Sequence, residues 1–316
     1  VTDGVHEMSG TGAVGEVGAV GETSPVVCWS DRLELGEGIR WVDGRIVLVD
    51  ILKGRLLAAP AAVGGDDGTA ALDVIAELDV ALGAVAPVAG RPGTWIAAAG
   101  TGICLIGPDG GVRWIARPED ANPVPMRMND GTADPLGRFW AGSLAYGSED
   151  GAGSLYRTDS DGTVTRVLDG ITVPNGPVFS ADGTTLFLAD SAGGLIRSYP
   201  VDPATGELGA SSVFATLESG GPDGMAVDVE GGLWTAVWGE GAVHHYRADG
   251  TLDGVVRVPA KQPAGVCLGG DDGRTLYITS ARTGLANPAE LDGAVFAVRV
   301  GVPGLATAPF HLEDGA

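Results

Sequence analysis

Short apolar runs, joined in pairs by glycine-bearing turns, dominate the chain from Pro25 onward. Arg45-Ile-Val-Leu-Val-Asp50 leads to Gly54-Arg-Leu-Leu57, and Gly93-Thr-Trp-Ile-Ala-Ala98 leads to Gly102-Ile-Cys-Leu-Ile106. The same layout returns from Gly137-Arg-Phe-Trp-Ala-Gly142 to Gly153-Ser-Leu-Tyr-Arg157, and from Thr184-Thr-Leu-Phe-Leu-Ala-Asp190 to Gly194-Leu-Ile-Arg-Ser-Tyr199. Gly232-Leu-Trp-Thr-Ala-Val237 with Gly241-Ala-Val-His-His-Tyr246, then Arg274-Thr-Leu-Tyr-Ile-Thr279 with Gly293-Ala-Val-Phe-Ala-Val298, complete the series. Each pair reads as two strands joined by a tight turn. The unit returns about every 45 residues, the period of a four-stranded propeller blade. A lone four-stranded sheet cannot bury both its faces, whereas blades stacked round an axis cover one another and leave only short edges. The pattern therefore predicts an all-β fold, a six-bladed β-propeller formed by residues 25–316 as one catalytic domain. No segment keeps a 3.6-residue apolar period, and glycines interrupt nearly every candidate helix. Trp95, Trp140, Trp234 and Phe187 occupy matching places and are expected between blades, where aromatics supply burial. Residues 1–24 lack aromatics and read as a disordered tail. Ala61–Thr69 and Asp202–Leu208 read as exposed loops.

A second repeat precedes these strand pairs. Leu35-Gly-Glu37-Gly stands ahead of the first blade, Arg127-Met-Asn129-Asp-Gly ahead of the third, and Val173-Pro-Asn175-Gly ahead of the fourth. Gly221-Pro-Asp223-Gly precedes the fifth, and Gln262-Pro-Ala264-Gly, which carries no ligand, the sixth. Taken alone, Asn129-Asp-Gly is a turn sequence, because Asn, Asp and Gly suit turns for backbone reasons. At matched positions of a propeller, however, such side chains converge on one mouth of the axis. Glu37, Asn129, Asn175 and Asp223 then form an all-oxygen set with two formal negative charges. Hard cations favour such a set: calcium foremost, with magnesium and manganese as alternatives, and zinc less natural without His or Cys. Arg127 adds a rigid fork of donors for substrate oxygens. His244 and His245 lie in one strand, where alternation sends them to opposite faces, so they are not expected to share an ion.

Composition narrows the partners. The formal net charge is −22, which argues against nucleic acid and anionic membranes and leaves a small molecule as the expected partner. No apolar run is long enough to span a membrane, and the N-terminal stretch does not resemble a secretory signal. Cys28, Cys104 and Cys267 are odd in number and lack metal-ligand spacing; they read as buried fillers in a reducing, cytoplasmic compartment. A monomer or weak homo-oligomer is expected.

Several longer motifs carry a resemblance. They are Gly36-Glu37-Gly38, Arg127-Met-Asn129-Asp-Gly131 with Asp134-Pro and Gly137–Gly142, Pro174-Asn175-Gly176, Phe179–Gly183, Ala189-Asp-Ser191 and Pro222-Asp223-Gly224-Met-Ala-Val-Asp228. Together they resemble the six-bladed propeller family of gluconolactonase, regucalcin (senescence marker protein) and luciferin-regenerating enzyme. The resemblance implies that Glu37, Asn175 and Asp223 hold one divalent metal, that Asn129 sits beside it, and that Arg127 binds substrate oxygens. Ile39 stands where the family usually has Pro. Ala145-Tyr146-Gly147 replaces acidic residues that contact the sugar in regucalcin-like members, so Tyr146 becomes a different pocket wall. The leading reading is a metal-dependent lactonase-type hydrolase in which Asp223 is general base toward a water activated by the ion. A second keeps fold and metal but acts on a non-sugar lactone, ester or cyclic intermediate. A third is a non-catalytic calcium-binding propeller, against which Arg127 beside the ligands counts. No G-x-S-x-G elbow supports a serine hydrolase.

Overall fold

A computed structural model describes residues 24–60, 70–313 and 315. Six four-stranded antiparallel sheets follow one another round a central axis, giving the expected six-bladed β-propeller. Blade one is Gly36–Val42, Arg45–Asp50, Arg55–Pro60 and Asp73–Glu77, numbered outward from the axis. Blades two to five repeat this order, beginning with innermost strands Leu82–Pro87, Met126–Ala133, Pro174–Phe179 and Gly221–Val227. Blade six differs. Its inner strands are Pro263–Gly269, Thr275–Ser280 and Phe296–Arg299, but its outermost strand is Val26–Val27 from the other end of the chain. Val26 pairs with Ala297 and Val27 with Phe296, so the ring is closed by hydrogen bonds rather than by packing alone.

Six buried apolar clusters, one at each blade-to-blade junction, make up the core of the described residues. The predicted aromatics lie where expected. Trp95 packs against blade one, Trp140 against blade four, Phe187 against blade five and Trp234 against blade six. Two of the tryptophans are also pinned by an aspartate. Asp134 Oδ2 accepts the Trp140 indole N–H at 3.0 Å, while its Oδ1 caps the turn through the Leu136 and Arg138 amides. Asp228 does the same for Trp234, at 3.1 Å, and also meets His245 Nε2 at 3.0 Å. His245 is buried and stacked on Trp234, whereas His244 reaches the Tyr246 hydroxyl; neither approaches the axis. All three cysteines are buried and unpaired, and burial pushes each thiol up to about 12.

The N-terminal segment 1–23 and the loop 61–69 lie outside the described residues. The 202–208 stretch is a hairpin loop of blade four, closed by a bridge between Val201 and Leu208.

Candidate active site

The residues expected to precede the blades turn out to be the innermost strands themselves. Asn129-Asp130-Gly131 is not a free turn but part of the strand Met126–Ala133. Its turn-like composition serves a different purpose. In all six blades the pairing of innermost and second strands breaks register at this level, between Glu37 and Arg40, Met128 and Gly131, Asn175 and Val178, and at the matching points elsewhere. A β-bulge of this kind re-aims the side chains beside it. Gly38 and Gly176, which follow Glu37 and Asn175, take left-handed φ values of 56° and 51°. At Gly176 a side chain is also excluded by space, since a Cβ would come within 2.6 Å of the Asp223 carbonyl oxygen of the next blade. The frame glycines thus bend each strand and let adjacent backbones close round the axis.

Glu37, Asn129, Asn175 and Asp223 are brought together, all buried. The carboxyls of Glu37 and Asp223 lie within hydrogen-bonding reach of each other. Asp223 Oδ1 is buried with no donor in reach. Two acceptors therefore face one another, an arrangement that requires a proton or a cation between them. Burial, followed by the charges of Asp223 and Asp130, holds the Glu37 pKa well above the usual carboxylate range. Asp223 is raised by burial and by Asp130. The Glu37–Asp223 pair suits a divalent cation: it is anionic, desolvated and without a donor on Asp223 Oδ1.

Asn129 is engaged on both sides. Its Oδ1 accepts Arg127 Nη1 at 2.6 Å, and its Nδ2 donates to Asn175 Oδ1 at 2.7 Å and the Pro174 carbonyl at 3.0 Å. Arg127 is itself buried, which lowers its pKa, against the opposing pull of nearby Tyr146, Glu37 and Asp223. Glu37, Arg127, Asn129, Asn175 and Tyr146 all line one cavity of about 480 Å³ at this mouth of the axis. Asp223 does not line it directly; its contact is with Glu37, which does. Tyr146 stands at the rim, 57% exposed.

Three features were not anticipated. Asp130 supplies a third carboxylate. Its Oδ1 accepts the Gly131 amide at 2.8 Å, its Oδ2 accepts Gly176 of the next blade at 3.1 Å, and Arg40 Nη2 lies 3.8 Å away. The signal was present, since Asp130 sits inside the Arg127–Gly131 motif, but a strand with simple alternation would have turned it away from Asn129. Ser191 orients Asn175: its Oγ accepts Asn175 Nδ2 at 2.9 Å and donates to the Pro222 carbonyl at 2.6 Å. Finally, Asp50 receives the Glu34 and Leu35 amides and Asp190 the Thr172 and Val173 amides. These two aspartates brace the chain where it enters the strands bearing Glu37 and Asn175. Both open a repeated Asp-x-x-x-Gly turn, legible in the sequence at 50–54 and 190–194.

A family model described as the SMP-30/Gluconolactonase/LRE-like region matches residues 35–282. The chain belongs to the SMP-30/gluconolactonase/LRE-like family. Relatives similar to the chain include a pentonolactonase, XacC, of Haloferax volcanii, 36% identical over 251 residues, 78% of this chain and 81% of the relative. A 6-deoxy-6-sulfogluconolactonase of Pseudomonas putida is 36% identical over 224 residues, 68% of this chain and 76% of the relative. Among solved structures, regucalcin of Agrobacterium tumefaciens, described as a calcium-binding protein, superimposes with a TM-score of 0.82 at 30% identity. That match covers 92% of this chain and 98% of regucalcin.

Proposed function

We propose that this family member is a divalent-metal-dependent lactonase: a hydrolase that opens a lactone ring at the Glu37–Asp223 mouth of the propeller. The observation that carries the reading is the pair of opposed carboxyls, with Asp223 Oδ1 lacking any donor, set beneath a cavity that Arg127 and Asn129 also line. Glu37, Asn175 and Asp223 would hold the ion, calcium foremost, with Asn129 beside them. Once bound, the ion would supply Lewis acidity toward the lactone carbonyl and toward water.

The chain's own groups do the rest. Arg127, already fixed against Asn129 at 2.6 Å, presents its guanidinium to the cavity and orients the substrate oxygens. Asn129 is locked in turn by Asn175 and Pro174, so the donor array is set before substrate arrives. Asp223 would take the proton from the attacking water as general base. The Leu35, Ile51 and Leu144 side chains that line the cavity keep bulk water from competing for the same groups.

The names of the relatives favour a sugar lactone as substrate. Tyr146 at the rim favours the second reading, a non-sugar lactone or ester taken by the same machinery. The test is turnover of a panel of lactones, with chelator and after metal is restored. Ring opening that stops on chelation and returns with calcium or a similar ion supports the proposal. Retention of a bound ion with no turnover of any lactone or ester would instead indicate a calcium-binding propeller without catalysis.

A further inference from the structure

The walls of the catalytic cavity differ from its floor. Among the described residues, Glu37 and Arg127 are the only charged side chains that line it, and both are buried at the bottom. Above them stand Ile51, Leu144, Val173 and Trp238, with Leu52 and Tyr146 at the lip. The wall hydroxyl of Ser191 is already committed to Asn175 and the Pro222 carbonyl. Ser148, Thr283 and, at the lip, Tyr146 carry the other hydroxyls of the lining among the described residues. Hydroxyls of a polyhydroxylated ring that meet Ile51, Leu144, Val173 or Trp238 would find no side-chain partner there, which costs binding free energy.

The lip leads somewhere. Leu52 and Tyr146 also line a second cavity of about 600 Å³ over blades one and two, where Leu78, Val80, Ala81 and Met126 form the apolar side and Lys53, Asp79 and Thr101 the polar one. Leu52, Val80 and Tyr146 are 42%, 39% and 57% exposed, three of the large apolar side chains that face solvent among the described residues. Five of the others, Val26, Val74, Val112, Val213 and Leu252, are scattered on outermost strands of separate blades. Among the described residues, three such side chains border one hollow at this cleft, and two of them, Leu52 and Tyr146, also line the catalytic cavity. Apolar surface gathered in one concave place marks a ligand surface more than scattered residues do.

We propose that the substrate carries an apolar substituent, alkyl or aryl, that leaves the reacting ring between Leu52 and Tyr146 and lies in the second cavity against Val80. This rests on the lactonase reading and adds the chemical class of the group attached to the ring. The experiment compares wild-type protein with Leu52→Ser and Val80→Ser, both at exposed positions where folding is little affected. kcat/KM is measured for lactones of one ring size bearing saturated chains of increasing length, and for polyhydroxylated lactones of that ring size. In the wild type, kcat/KM should rise about threefold to fourfold per added methylene over the first few carbons. Both variants should flatten that rise. A preference for the polyhydroxylated lactones, no dependence on chain length, or a slope that survives both substitutions would overturn the proposal. If no lactone is opened at all, the reaction assignment fails, and the subsite is judged by calorimetry alone. Binding of straight-chain carboxylates from butanoate to decanoate in calcium buffer should then tighten with length in the wild type and not in the variants. A flat wild-type series would overturn the subsite whatever the reaction.

Discussion

Glu37 and Asp223 meet as carboxyls, and their behaviour without a cation follows from that contact. Burial raises Glu37, Asp130 and Asp223, so the folded chain binds more protons than the unfolded chain. The sign is therefore opposite to that of an ordinary ion-paired carboxylate. Stability from this cluster is fully present below the normal carboxylate range and is lost as pH rises through the raised values. Chelated protein should melt at a higher temperature near about pH 5 than near about pH 8, and added calcium should remove most of that difference. Glu37→Gln should flatten the slope in chelated protein; an unchanged slope would show that the contact is not its source. Exposed carboxyls held low by turn hydrogen bonds, such as Asp182 at about 2, titrate below this window. For catalysis, Asp223→Asn should lower kcat by about a thousandfold or more while circular dichroism stays that of the wild type, because the blades do not depend on this side chain. Arg127→Ala should cost about a hundredfold in kcat/KM, read by steady-state kinetics on any accepted lactone.

The innermost strands do two jobs, and the elements show how much the sequence could reveal. Strand pairs, blade count and the inter-blade tryptophans were legible because apolar alternation and the repeat length carry them directly. The convergence of Glu37, Asn129, Asn175 and Asp223 was legible because a repeated frame implies a repeated place. What stayed hidden was conformational. A bulge puts Asn129 and Asp130 on neighbouring directions of one strand, and plain alternation gives no sign of it. Ser191 was visible only as part of a motif; its hold on Asn175 depends on a turn of blade four meeting the Pro222 carbonyl of blade five. Gly176 offers a test at this scale. Its φ of 51° and the 2.6 Å approach to the Asp223 carbonyl leave no room for Cβ. Gly176→Ala should destabilise the fold by about 1–3 kcal/mol in a denaturant titration and weaken calcium binding at the same time. Loss of stability with calcium affinity intact would separate the bulge from the site.

Closure of the ring involves both ends of the described chain. Val26–Val27 completes blade six, and the Cys28 amide continues the contact to the Val295 carbonyl at 2.9 Å. At the other mouth of the axis, Leu305–Ala308 pass beside Arg40, Thr132 and Met225, which lie further along the same innermost strands that bear the site. Phe310 then anchors this segment in the junction of blades two and three, fully buried and bonded through its amide to the Pro87 carbonyl at 2.8 Å. Phe310→Ala should cost about 3–5 kcal/mol, read as a lower melting temperature, yet leave calcium affinity unchanged because the site lies at the opposite mouth. The whole account turns on one ion at one place. The most direct measurement is anomalous diffraction from a crystal soaked in calcium or manganese. A single peak bounded by Glu37, Asn175 and Asp223 is the predicted result; no peak there, or one bound elsewhere while lactone turnover still depends on the metal, would contradict it.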